Sequence, residues 1–348
     1  MTNILIAAAV GLIFGLFGTP IAVKSFRRRG WGQLIREEGP KAHYEKHGTP
    51  TMGGLVIMAG TIVGYALGHI GTTGLSQPRD SGILALGTIV ALGCLGFADD
   101  MIKIRKARSL GLQKRAKFLG QLVIGLLFAF IAIEFVDIGT DMSLFRSTAV
   151  NLGLFFYLWA FLMIAASSNG VNLTDGLDGL AVGSAAQVLA AFVVIAFWQF
   201  RHPGFYDLVA TGSDPFDISL VAAALFGSCA GFLWWNTAPA KIFMGDTGSL
   251  MLGGAMAVFA ILLNTQMLLL ILGGLYVVET MSVIAQVAIF RRTGKRIFLM
   301  APIHHHFELA GWPEFTVIVR FWVLSGLSVA FGLGLFYADF ISKGGVIP

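Results

Sequence analysis

ILIAAAVGLIFGLFGTPIAVKSFRRR, residues Ile4 to Arg29, is a run of twenty residues without a charge, followed within six positions by four basic ones. At a rise of about 1.5 Å per residue, a helix of that length covers the roughly 30 Å of hydrocarbon in a bilayer. A secretory leader carries its positive charge ahead of the apolar run. Here the charge comes behind, so the stretch reads as a true first span, with its amino end outside and its basic end in the cytoplasm.

The rest of the chain repeats the pattern. Of 348 residues 56% are hydrophobic and 12% charged, with a mean hydropathy of +0.79, against about 25% charged in a soluble domain. Starting from Ile4–Val23, spans are expected near Thr51–Ile70, Ile83–Ala98, Phe118–Phe135, Leu152–Ala166, Leu180–Phe197, Ile218–Trp235, Ser249–Leu263, Met267–Phe290 and Val317–Ala338. The fold class is therefore all-α: a polytopic integral membrane protein of about ten transmembrane helices, a single domain over residues 1–348, with both termini on one side. Sorting Lys and Arg by connection puts twenty on the side of Arg27 to Arg29 and four on the other, namely Arg79, Arg146, Arg201 and Lys343. Basic loops stay in the cytoplasm, so both termini face outward. The positive charge is that of inner loops, and no nucleic-acid partner is expected. Cys94 and Cys229 fall within spans, without metal-ligand or redox spacing, and read as apolar filler.

Polar chemistry collects on the inner side. GPKAHYEKHGTPTMGG (Gly39–Gly54), FADDMIKIRKARSLGLQKRAKF (Phe97–Phe118), NGVNLTDGLDG (Asn169–Gly179), NTAPAKIFMGDTGS (Asn236–Ser249) and RRTGKRIFLMAPIHHHFELAGWPE (Arg291–Glu314) have no counterpart among the outer loops. They predict an active-site cleft at the cytoplasmic face. Asp99 and Asp100 end the third span, where the helix dipole adds to their mutual repulsion; Lys103, one turn on, or a cation would relieve it. Asp175 and Asp178, three apart, would share one face of a helical turn, and either Thr174 or Asp178 is a candidate cap for the next span. Asp246 sits in GDTGS at a helix amino end, a site suited to phosphate. His304, His305 and His306 lack the partners a zinc site needs and suit phosphate contact or proton handling. Aspartates for a hard cation beside cationic groups for an anion fit magnesium and a pyrophosphate substrate. A membrane lipid is the natural acceptor.

At these motifs the chain resembles the polyprenyl-phosphate N-acetylhexosamine-1-phosphate transferases, and within them the branch whose sugar carries a muramoyl peptide. GTPTMGG, FADDMIKI, NGVNLTDGLDGLA, FMGDTGSL and APIHHHFE carry the likeness, which runs from the first span to the last. It implies transfer of phospho-MurNAc-pentapeptide from UDP-MurNAc-pentapeptide to undecaprenyl phosphate, giving lipid I and UMP, with Mg2+ as cofactor, in the bacterial inner membrane. Asp99 and Asp100 are then the first acidic pair, Asp246 the magnesium-binding aspartate and His305 a catalytic phosphate or nucleotide contact. Asn172, Asp175 and Asp178 belong to the nucleotide-side loop. His304, His306, Lys46, Thr51, Lys103, Asn236, Phe243 and Gln286 line the pocket, and Lys117 is preferred to Arg115 as the basic residue after the acidic pair. A homodimer is also implied. Relatives that transfer GlcNAc-1-phosphate lack the intact APIHHHFE segment, which argues for the muramoyl-peptide substrate. A proton-coupled transporter is the alternative of another class; against it, only Glu134 and Glu279 lie within spans, and neither shows an evident basic partner.

Overall fold

A computed structural model describes residues 1–32 and 48–344, apart from 72–73, 76, 107, 109, 207 and 209–211. Lys46 lies outside the described residues. Among the described residues ten long helices make the bundle: α1 (Thr2–Arg28), α2 (Gly54–Gly68), α3 (Asp80–Arg105), α4 (Lys114–Glu134), α5 (Phe155–Thr174), α6 (Leu180–Arg201), α8 (Pro215–Asn236), α9 (Gly245–Leu262), α11 (Gly274–Thr293) and α13 (Glu314–Ser342). Short helices α7 (Pro203–Tyr206), α10 (Leu268–Leu272) and α12 (Ile303–Leu309) and two small antiparallel hairpins complete the described elements.

Nine of these helices are long and apolar enough to cross a membrane, and α2 is a shorter apolar helix of 15 residues. The expected second span began at Thr51. Instead, Gly53 and Gly54 donate their N–H groups to the carbonyls of Phe243 and Met244, which diverts the chain before helix can start. The fifth span was placed at Leu152–Ala166, but α5 continues to Thr174, carrying both asparagines of the NGVNLT stretch on helix. The ninth breaks at Gly273 into α10 and α11.

Close approach of small residues sets the packing. Gly11 and Gly15 of α1 lie against Ala224 to Phe232 of α8, and Gly227 and Gly231 of α8 lie reciprocally against Ala8 to Leu16, so a Cβ on any of the four would collide with backbone. Spacing of four keeps each pair on one helix face, the membrane-helix solution when there is no hydrophobic drive to associate. Helix α9 is the centre: every residue from Thr247 to Leu262 is buried. Gly96 of α3 lies against Asp246 and Thr247, and Gly253 of α9 lies against Ser167 and Ser168 of α5. Those contacts bring the carboxyl-terminal turns of α3 and α5 to the amino-terminal half of α9.

The helices alternate in direction. Arg146, in the hairpin of Asp141–Ser143 with Ser147–Asn151, pairs with Asp339 near the end of α13 at 3.2 Å, and Gly68 at the end of α2 lies against Asn3 and Ala7 at the start of α1. The chain ends therefore share one end of the bundle. The polar motifs sit at the opposite end.

Candidate active site

Asp246 is the hub. It occupies the first turn of α9, whose preceding residue, Met244, supplies no side-chain cap. Lys103 of α3 lies 3.0 Å from its Oδ1 and Lys117 of α4 lies 2.6 Å from its Oδ2. Asn172 of α5 donates to Oδ1 at 3.0 Å and to the Ser249 hydroxyl at 2.8 Å. Three helices thus converge on one carboxylate. Lys117 reaches the site, whereas Arg115 is exposed.

Asp100 does what α9 cannot do for itself. It accepts from the backbone N–H groups of Asp246 (3.2 Å) and Thr247 (2.9 Å) and from the Thr247 hydroxyl (2.8 Å). A carboxylate from a neighbouring helix is therefore the amino-terminal cap of α9, favoured by the helix dipole. Gly245 holds a left-handed φ of +73°, with Asp100 Oδ2 and Thr51 Oγ1 so close that a side chain would meet both. This contact places Thr51 at the site. Asp99 accepts from the N–H of Leu112 at 2.8 Å, pinning the α3–α4 connection. Lys103 pairs with Asp99 and Asp100 at 2.7 and 3.2 Å.

Oxygens of Asp99, Asp100 and Asp246 lie within 4.8 Å of one another. Three carboxyl groups face two ammonium groups, so the cluster has one acidic group in excess. Such a set of hard oxygens could hold a divalent cation.

Asp175 and Asp178 form the second part, and their geometry corrects the expectation of a shared helical face. Helix α5 ends at Thr174, and Asp175 turns away with φ −79° and ψ 51°. Neither Thr174 nor Asp178 caps the following helix: that position is Gly179 in the left-handed region, while the Thr174 hydroxyl bonds back to Gly170. Asp178 accepts from the N–H of Ala240 and its own N–H donates to Glu314. Asn236 donates to the carbonyl of Ile242, and the backbone of Phe243 pairs with Pro50 and Gly53. These contacts gather the 175–179 and 237–244 loops and the Thr51 segment. Burial, then the charges of Asp246, Asp100 and Asp178, pushes the Asp175 carboxyl up to about 8 despite the opposing pull of Lys103.

The three histidines diverge. His304 is fully buried, with Nδ1 3.1 Å from Glu279. His305 pairs through Nδ1 with Glu308 at 2.6 Å. Both Nε2 atoms lie against Gly176. His306 instead accepts from the N–H of Leu299. Gln286 is likewise occupied, accepting from Ile297 and Phe298 and donating to the Phe298 carbonyl. Both hold the 297–299 turn, away from the carboxylates. The expectation that Glu279 lacks a basic partner is corrected, since His304 is that partner. Sequence reasoning also missed Thr247 and Ser249, although both stand in the GDTGS motif and a hydroxyl at the start of a helix is a readable signal.

Between α5, α10 and α11 runs an apolar cavity of about 280 Å³, lined among others by Trp159, Met163, Leu269, Tyr276 and Met281. Leu162, Leu270 and Met281 on its wall are about half exposed on the bundle surface. Gly170 and Thr280 also line it, and Gly170 is two residues from Asn172, whose amide holds Asp246.

The glycosyl transferase family 4 profile matches residues 82–264. Phospho-N-acetylmuramoyl-pentapeptide-transferase of Frankia alni is 56% identical over 357 aligned positions, covering 99% of both chains. The enzyme of the same name from Frankia casuarinae is 55% identical, covering 99% of this chain and all of its own; that of Saccharopolyspora erythraea is 51% identical over 98% of both. The family match contains every aspartate of the site but stops before the histidines, which only the near full-length relatives cover.

Proposed function

The chain belongs to the phospho-N-acetylmuramoyl-pentapeptide transferases of glycosyl transferase family 4, and we propose from that premise its complete reaction. Undecaprenyl phosphate attacks the sugar-bearing phosphorus of UDP-MurNAc-pentapeptide. The new P–O bond forms as the bond to the uridylyl phosphate breaks, UMP leaves, and lipid I remains in the membrane. The observation that carries this reading is the convergence of Asp99, Asp100, Asp246, Lys103 and Lys117 beside an apolar cavity that opens on the bundle surface.

Each part has a chemical task. The cavity between α5 and α11 suits the first isoprene units of the acceptor, with its phosphate directed past Gly170 toward Lys103 and Lys117. Asp246 with Asp99 or Asp100 would hold Mg2+, which supplies charge neutralisation across the pyrophosphate. Lys103 and Lys117 screen the meeting of two anions, the main obstacle in such a transfer. Asp175, Asp178, Asn236 and Phe243 frame the nucleotide side, and His305 is placed to contact phosphate across Gly176. Basic loops at the same end as the site make that end cytoplasmic, in a bacterial inner membrane with both termini outside. A homodimer is the assembly that fits the family.

The experiment is UMP release by purified protein in detergent, supplied with undecaprenyl phosphate and either UDP-MurNAc-pentapeptide or UDP-GlcNAc. Release is expected only when the acceptor and the muramoyl-peptide donor are both present. Release from UDP-GlcNAc alone of the two donors overturns the substrate, and no release from either overturns the transferase reading.

A further inference from the structure

Helix α11 buries only Leu275, Tyr276, Glu279 and Ser282. A carboxylate among them, with no exposure at all, demands a reason, because burying a charge without a partner is among the more costly things a fold does. The reaction as derived above gives Glu279 no task. Its partner is His304 of α12, also without exposure, whose Nδ1 stands 3.1 Å from Glu279 Oε2. Among the described residues that approach is the carboxylate's closest polar contact; it lies outside hydrogen-bond geometry, so neither carboxylate oxygen and neither ring nitrogen of His304 has a hydrogen-bond partner.

That Nε2 is packed against Gly176, where a Cβ would collide with it and would stand 3.1 Å from the Nε2 of His305. Gly176 lies between Asp175 and Asp178, in the loop whose far end is tied to Ala240 and Glu314. The near end of the loop therefore rests most closely on the edge of the His304 imidazole, with that of His305 beside it. A histidine ring can turn about its terminal bond, and a carboxylate 3.1 Å from Nδ1 draws that edge toward itself, which leaves the Nε2 edge toward Gly176.

We propose that Glu279 is a positioning residue: by fixing the His304 ring it sets the Gly176 backbone, and with it the approach of the uridine end of the donor to Asp175 and Asp178. The assignment rests on the transferase reading for its substrate, but the geometry it invokes is independent of it. Glutamine at 279 retains the side-chain shape and loses the charge, while alanine at 176 attacks the same contact from the loop side.

Steady-state UMP release should show the KM for UDP-MurNAc-pentapeptide raised by about 10- to 100-fold in Glu279→Gln, the scale of loss when the partner that orients a metal-ligating histidine is removed. The kcat and the KM for undecaprenyl phosphate should be unchanged, since only binding of the nucleotide end is affected. Gly176→Ala should reproduce the same split. In [15N]histidine-labelled protein, the His304 ring signals, identified by their absence in His304→Asn, should shift in Glu279→Gln. Unchanged His304 signals, or an unchanged donor KM, overturn the proposal. If Glu279→Gln does not fold, Gly176→Ala decides by the same KM criterion. If the unsubstituted protein releases no UMP, the transferase reading has failed, and the ring signals still decide whether Glu279 holds His304.

Discussion

Replacing Asp100 and Asp246 separately by asparagine should split a structural carboxylate from a chemical one. Asp100 receives two backbone N–H groups and one hydroxyl at the start of α9. Asparagine keeps one acceptor oxygen, turns an NH2 toward those donors, and removes a charge from the positive end of a helix dipole. A lost cap and a lost charge–dipole contact together cost about 1–3 kcal/mol, which lowers the unfolding midpoint by several degrees. Asp246 is different. Its replacement breaks the pairs with Lys103 and Lys117 but also relieves repulsion from Asp99 and Asp100, leaving two carboxylates to two ammonium groups. The charge-assisted pairs at 3.0 and 2.6 Å outweigh the repulsion relieved, so the midpoint should fall here too, and what sets Asp246 apart is the rate. The rate should fall by about 10²–10³ or more, because the group proposed to hold the cation, and which pairs with both lysines, has gone. Thermal unfolding in detergent, followed through the seven tryptophans, gives the first quantity. UMP release against magnesium concentration gives the second. An active Asp246→Asn protein with normal magnesium dependence would refute the chemical role, and an unshifted midpoint in Asp100→Asn would refute the capping role.

Two further outcomes follow from the geometry. The Asp175 carboxyl is pushed up to about 8 in the folded protein against about 3.9 unfolded, so the folded state holds the proton more tightly and stability falls as pH rises from about 4 to about 8. In magnesium-free buffer Asp175→Asn should therefore raise the unfolding midpoint much more at pH 8 than at pH 5, and an equal effect at both pH values contradicts the cause. For orientation, single cysteines at Lys106 and Lys295 in a cysteine-free background should resist an impermeant thiol reagent in intact cells, and one at the exposed Leu144 should react. Labelling of the first two from outside reverses the topology.

Hydropathy made the bundle legible because the bilayer asks little of a spanning segment beyond length and apolar character. It fails where the helices continue past the apolar run. Asn169 and Asn172 read as loop because polar residues ended the apolar run, yet α5 carries both on helix to Thr174. The site was legible as a set of motifs, since carboxylates in a chain this apolar require a purpose. Its internal division of labour was not. Nothing in FADD says that one aspartate caps a helix 146 residues away while its neighbour pins Leu112. Nor does any spacing rule join Glu279 to His304, because the contact passes through the turn held by Gln286 and His306 and not through a common helix.

The same division of labour decides between direct attack by the lipid phosphate and a phospho-aspartyl intermediate. A carboxylate nucleophile needs an oxygen with a lone pair free to approach phosphorus. Asp100 has both oxygens committed to the start of α9. Asp99 has one on the Leu112 N–H and the other on Lys103. Asp246 has Lys103 and Asn172 on one oxygen and Lys117 on the other. Only Asp100 has both lone pairs of each oxygen engaged. On Asp99 and Asp246 a lone pair stays open, but every oxygen is drawn on by an ammonium or N–H, and releasing such a partner to restore its nucleophilicity costs about 1.5–3 kcal/mol. The lipid phosphate carries no such burden: with a second pKa of about 6 it is mostly a dianion at neutral pH, already a competent nucleophile with no proton to lose. Asp99, whose oxygens are thus drawn on, serves better by aiming Lys103 than by acting as a base. A single displacement therefore asks the protein only to bring two anions into line, which is what two lysines set among three carboxylates are arranged to do.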